Sequence, residues 1–128
     1  MYIRFQTGVR CHYTGRSLGI FYAAGQVQDR CTVPEYLTEP LRDSLVWFNN
    51  NLKVPRRDTI PRKCLFWFDC GNAEVLGRVW ELIGWLRMSD VYVIHRKCRY
   101  PGKIIYRDDH QVAAIPGPSV QRILRLRR

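Results

Sequence analysis

Long apolar runs are missing from this 128-residue chain. Nothing in it approaches the ~20 consecutive residues of a membrane-spanning helix, so no membrane partner is expected. Also missing are a Walker-type phosphate loop, a paired-glycine dinucleotide fingerprint and a His-Glu-x-x-His pair. No Cys-x-x-Cys occurs either, which leaves a zinc site without sequence support. No metal and no cofactor is therefore expected. RNP, KH and helix-turn-helix patterns are lacking too, as are internal repeats and low-complexity tracts.

Acid is the other scarce commodity. Against 21 Lys and Arg there are 11 Asp and Glu, for a net charge of +10. Three short segments, Lys53–Lys63, Arg96–Lys103 and Arg122–Arg128, hold thirteen of the basic residues with Asp58 as their single acid. A field of this kind attracts nucleic acid, acidic proteins or other anionic surfaces. The alternatives are a charge that serves solubility alone and a charge that merely reflects a basic proteome.

The five cysteines, at 11, 31, 64, 70 and 98, are odd in number, and two fall inside one apolar run. That usage fits free thiols in a reducing cytosol better than a disulfide framework. Cys64 and Cys70 cannot bridge each other in one straight strand, where roughly 20 Å would separate their α-carbons. Met1-Tyr-Ile-Arg-Phe5 reads as a strand and not as a signal peptide, so the expected location is cytoplasmic.

A hydrophobic content of 46% is enough for a folded globule, and a chain this size buries roughly two-thirds of the surface its unfolded form exposes. The organising stretch is Cys64–Cys98. Cys64-Leu-Phe-Trp-Phe-Asp-Cys70 is apolar on both faces of a strand, the mark of an interior position. Val75, Val79, Leu82 and Leu86 recur at helical spacing, widened by Leu76, Trp80 and Ile83, with Asn72 as cap. Val91-Tyr-Val-Ile-His95 is a second apolar run. Strand, helix and strand with short links predict a right-handed parallel crossover, its two strands adjacent or nearly so in mid-sheet.

Elsewhere, Tyr2–Phe5 predicts a strand, and 7–15 is open between strand and loop. Residues 17–28 predict a helix capped by Ser17, with a strand from Gly19 as the rival. Thr32-Val-Pro-Glu35 has the form of a capping box, followed by Leu37, Leu41, Leu45, Phe48 and Leu52 in a helical stripe. Pro40 should kink or restart that helix. Arg99-Tyr-Pro-Gly-Lys103 predicts a turn of type II, before short strands at Ile104–Tyr106 and Gln111–Ile115. The expected fold is α+β: a single mixed sheet of four to five strands in chain order β-α-α-β-α-β-β-β, with a central βαβ unit and helices mainly on one face. Residues 1–116 should form one compact domain and 117–128 a basic arm.

Three function classes remain. The first is a non-catalytic binding module for nucleic acid or another anionic partner. It would use Arg56, Arg57, Arg62, Lys63, Arg96, Lys97, Arg99, Tyr100, Lys103, Arg122 and Arg125, with Tyr100 stacking on a base. The second is a small protein-binding inhibitor, regulator or immunity-type factor, anchored by Trp85, which lies off the helical stripe. The third is a nuclease or hydrolase built on Asp69, Cys70 and His95. Asp69 and His95 end the two central strands, where a carboxylate orienting a histidine would make an acid/base pair. Cys70 precedes a helix start that favours a thiolate. The plainer readings, preferred here, are that Asp69 caps the start of the following helix, that His95 is an ordinary half-buried strand residue and that Cys70 is a buried, inert thiol. Asp108, Asp109 and His110 likewise read first as turn residues.

Overall fold

The computed structural model describes residues 1–10, 19–29, 33–118 and 120–121, and of Arg57 the backbone alone. The expected caps Ser17 and Thr32, the region 11–15 and the basic residues Arg122 and Arg125 lie outside the described residues. The elements are β1 (Tyr2–Thr7), α1 (Ile20–Asp29), α2 (Glu35–Asn51), β2 (Leu65–Asp69), α3 (Ala73–Met88), β3 (Val93–Cys98), β4 (Lys103–Arg107) and β5 (Gln111–Ile115), with a 3₁₀ turn at Arg57–Thr59. This is the α+β order expected. The five strands form one sheet in the order β3-β1-β2-β5-β4.

β1 pairs antiparallel with β2, β2 with β5, and β5 with β4. At the far side the Gly8 amide donates to the Tyr92 carbonyl at 2.8 Å, and the Phe5 ring meets His95. The end of β1 thus lies beside the start of β3, and this pair is antiparallel as well. β2 and β3 accordingly run the same way, as the crossover requires, but β1 is inserted between them. β3 is an edge strand rather than an interior one. Its alternating exposure follows from that position, and Arg96 and Lys97 on it oppose pairing with another chain. At the opposite edge, β4 carries a register shift between Ile104 and Tyr106 that leaves Ile105 exposed.

The chain divides into two compact units. The first comprises Met1–Arg4, Lys53–Ala73 and Arg96–Arg128; the second comprises Phe5–Leu52 and Glu74–His95. In the first, Trp67, Val112 and Val120 form a buried cluster with Tyr2, Leu65, Cys98 and Ile104 packed around it. In the second, α1 buries Ile20, Ala23, Ala24 and Val27, and α2 buries Leu37, Leu41, Ser44 and Phe48. Phe21 and Phe48 join the two helices, with ring centroids 4.9 Å apart.

α2 departs from expectation at both its start and its middle. It begins at Glu35, with Pro34 in the cap position and no side-chain cap. It also runs through Pro40 without restarting. Proline there removes one backbone bond in the second turn, and the buried stripe that continues on either side offsets the loss. The helix ends before Lys53, as the approaching Pro55 dictates.

α3 buries Val75, Val79, Leu82, Ile83 and Leu86. Its exit is a Schellman arrangement: Val91 N–H donates to Leu86 O, Asp90 N–H donates to Arg87 O, and Asp90 takes φ 63°. Gly77, inside α3, has open space where a Cβ would be. Gly77→Ala is therefore expected to raise stability by about 0.5–1 kcal/mol through lower unfolded-chain entropy, measured by urea unfolding.

Candidate functional site

Charge is divided unequally between the units. The first holds fifteen of the 21 Lys and Arg but four of the 11 acids, giving +11; the second is left at −1. The nine described residues among those expected to bind an anion, from Arg56 to Lys103, all belong to the first unit. Among those described, Arg56, Arg62, Lys63, Lys97, Arg99, Tyr100 and Lys103 are exposed, whereas Arg96 is half-buried in β3. Arg56 pairs with Asp58 at 3.0 Å; both side chains are solvated, so the pair contributes little. Between β3 and β4 the chain reverses through buried Pro101 and Gly102, the latter at φ +117°. This reversal puts Tyr100 out into solvent, 83% exposed, with Arg99 beside it and Lys97 and Lys103 on the adjoining strands.

One face of the sheet in this unit carries further cations. The β1–β2 register, with Tyr2 opposite Asp69 and Ile3 opposite Phe68, continues to Arg4 opposite Trp67. The β1–β3 register set at Gly8 and Tyr92 continues to Arg4 opposite Arg96 and Tyr2 opposite Cys98. On the same side of the sheet, Arg107 donates to the Tyr2 hydroxyl at 3.1 Å. The sequence reading missed Arg4 and Arg107. The signal for Arg4 was an arginine set between Ile3 and Phe5 in a strand pattern.

The catalytic candidates do not assemble by neighbouring strands, because β1 separates β2 from β3. Asp69 Oδ1 accepts the Gly71 N–H at 2.8 Å, which is a turn-closing role. His95 is exposed, with Trp80 edge-on at 5.3 Å and Phe5 tilted at 6.3 Å. Cys70 is half-buried, and its N–H donates to the Met1 carbonyl. Nearby, burial pushes the Cys98 thiol up, against a smaller pull from the N-terminal ammonium, and Cys70 adds to the rise. Cys98 is therefore a thiol, not a thiolate, at neutral pH. Cys64, Cys70 and Cys98 are all free.

Asp108 holds the β4–β5 turn by accepting the N–H groups of His110 and Gln111. Asp109 is exposed, and its carbonyl accepts from the Asn72 side chain at 3.1 Å. Among the described residues, no group of three or more His, Cys, Asp and Glu is placed to hold a metal ion. No helix among them is long and apolar enough to cross a membrane.

The tryptophans are distributed differently from the sequence reading. Trp85 is half-buried, whereas Trp80, assigned there to the widened stripe, is 38% exposed. Trp80 is displaced from the buried stripe and packs edge-on against Phe5 at 5.1 Å. Trp47 is half-buried and carries the Arg78 guanidinium over its ring at 4.8 Å. The chain matches no protein-family model, no curated protein and no solved structure.

Proposed function

We propose that the protein is a non-catalytic binding module and that its first unit docks a nucleic acid. The observation that supports this reading is the segregation of charge, +11 in one unit against −1 in the other. A charge serving solubility alone needs no such division, whereas a phosphate backbone is met by cations gathered in one part of a chain. The β3–β4 turn adds a stacking surface to the charge through Tyr100, flanked by Arg99. The same reading puts the protein in a reducing cytosol, consistent with the free thiols of Cys64, Cys70 and Cys98 among the described residues.

The test is binding to fluorescent single- and double-stranded DNA and RNA over a salt series. Wild type is expected to bind with an affinity that falls steeply as salt rises. The triple variant Lys97→Ala, Arg99→Ala, Lys103→Ala is expected to reduce the log–log slope by about 3. Tyr100→Ala is expected to weaken single-stranded ligands about tenfold or more and to spare duplexes. Absence of binding at low salt, or a slope unchanged in the triple variant, would overturn the proposal and turn attention to protein partners, beginning with Trp80.

A further inference from the structure

Arg4 lies in mid-strand on β1, with β2 on one side and β3 on the other. Its Nη1 donates to the Phe66 carbonyl at 3.3 Å, but its Nε is buried and has no hydrogen-bond partner. Burial also holds the guanidinium below its ordinary pKa. Across β1–β2 it stands opposite Trp67, which is 2% exposed and whose indole Nε1 is buried without an acceptor. Across β1–β3 it stands opposite Arg96. Two buried N–H donors thus lack an acceptor at adjacent positions, and a second guanidinium is placed directly across from the first. Unmet buried donors are costly, and like charges in opposed positions repel.

No carboxylate forms an ion pair with Arg4 among the described residues. The acid of this face, Asp69, is two residues along β2 from Trp67, and its Oδ1 is occupied by the Gly71 amide. The row therefore calls for an acceptor with negative charge and several oxygens. A phosphate group has this form, and guanidinium is the side chain best matched to it.

We propose that Arg4, Trp67 and Arg96 form a binding site for a phosphate-type oxyanion, with Arg4 Nε and Trp67 Nε1 donating to it and Arg96 supplying the second charge. The site goes beyond the loop-borne docking of nucleic acid and does not depend on it. Arg4 and Arg96 are half-buried, whereas the two donor atoms are enclosed, so an anion reaches them only as the Arg4 side chain shifts outward.

The test is thermal unfolding in sodium phosphate against sodium chloride at matched ionic strength and pH, with a nucleoside monophosphate as a further arm. Wild type is expected to gain about 5 °C in saturating phosphate over chloride. Arg4→Lys keeps the charge but loses the Nε donor, and is expected to lose most of that gain. Trp67→Phe removes the other donor and should also reduce it. Lys97→Ala, exposed on β3 next to Arg96 but on the opposite face of the strand, should retain it in full. A gain with inorganic phosphate identifies the free ion; a gain seen only with the nucleoside monophosphate identifies the same group carried on a larger molecule. Either supports the site if Arg4→Lys abolishes it. Equal midpoints in phosphate and chloride, with no gain from the nucleoside monophosphate, would overturn the proposal, as would a full gain in both Arg4→Lys and Trp67→Phe. The loop variants read nucleic-acid binding separately, so failure of one proposal does not entail failure of the other.

Discussion

Gly102→Ala is expected to destabilise the protein by about 4 kcal/mol, seen as a lower urea midpoint at unchanged slope. Two effects add. At φ +117° the backbone is in a region that side chains with a Cβ rarely adopt, which costs about 1–3 kcal/mol. A Cβ built there also runs into the Ile115 carbonyl oxygen and crowds the Gly117 amide. These are backbone atoms and cannot swing aside as a flexible side chain would. Ile115 pairs with Lys103, so any retreat strains the β4–β5 ladder at its first rung. Overpacking of this kind costs about 1–3 kcal/mol more. The proposed docking of nucleic acid should also weaken in the folded fraction of the variant, since the same turn positions Arg99, Tyr100 and Lys103. A loss under 1 kcal/mol would show that the turn relaxes into another geometry.

This turn was legible in the sequence, because Pro followed by Gly has a local steric meaning that needs no tertiary context. The same holds for α3, whose stripe of Val75, Val79, Leu82 and Leu86 is buried as its spacing requires, and for the chain order of the elements. What failed was non-local. The apolar character of Val91–Ile94 suggested an interior strand, but Val91 is buried ahead of the strand and β3 lies at the edge. Strand order depends on where β1 inserts, and crossover logic fixes handedness and direction without fixing adjacency. The basic segments could be read from composition, but their common membership in one unit could not. Arg4 and Trp67 became a candidate pair only through the β1–β2 register, which no local pattern encodes.

The second large effect is expected at Asp108. Its carboxylate is almost wholly buried and accepts four hydrogen bonds. Oδ1 takes the N–H groups of His110 at 2.9 Å and Gln111 at 3.0 Å; Oδ2 takes the Tyr106 hydroxyl at 2.8 Å and Gln111 Nε2 at 3.2 Å. Through His110 and Gln111 the network reaches the Lys53 end of the basic loop, with Lys53 N–H donating to His110 Nε2 and Gln111 Nε2 to the Lys53 carbonyl. Asp108→Ala strands these donors and is expected to cost about 3 kcal/mol. Burial alone would push the Asp108 carboxyl up, but the hydrogen bonds outweigh it and hold the group below its ordinary value. The folded pKa is thus lower than the unfolded one. The stabilisation is complete above the unfolded value of about 3.9 and is lost as pH falls through the folded value. Asp108→Asn keeps the shape but sets its amide against Gln111 Nε2, so it should cost about half as much and flatten the acid limb of the stability curve. The bond to Asp108 also pushes the Tyr106 phenol up, so its absorbance titration should move back toward the ordinary value in both variants. Wild-type stability that falls no faster than that of Asp108→Asn between pH 5 and pH 2 would show that this carboxylate is not the acid-sensitive group.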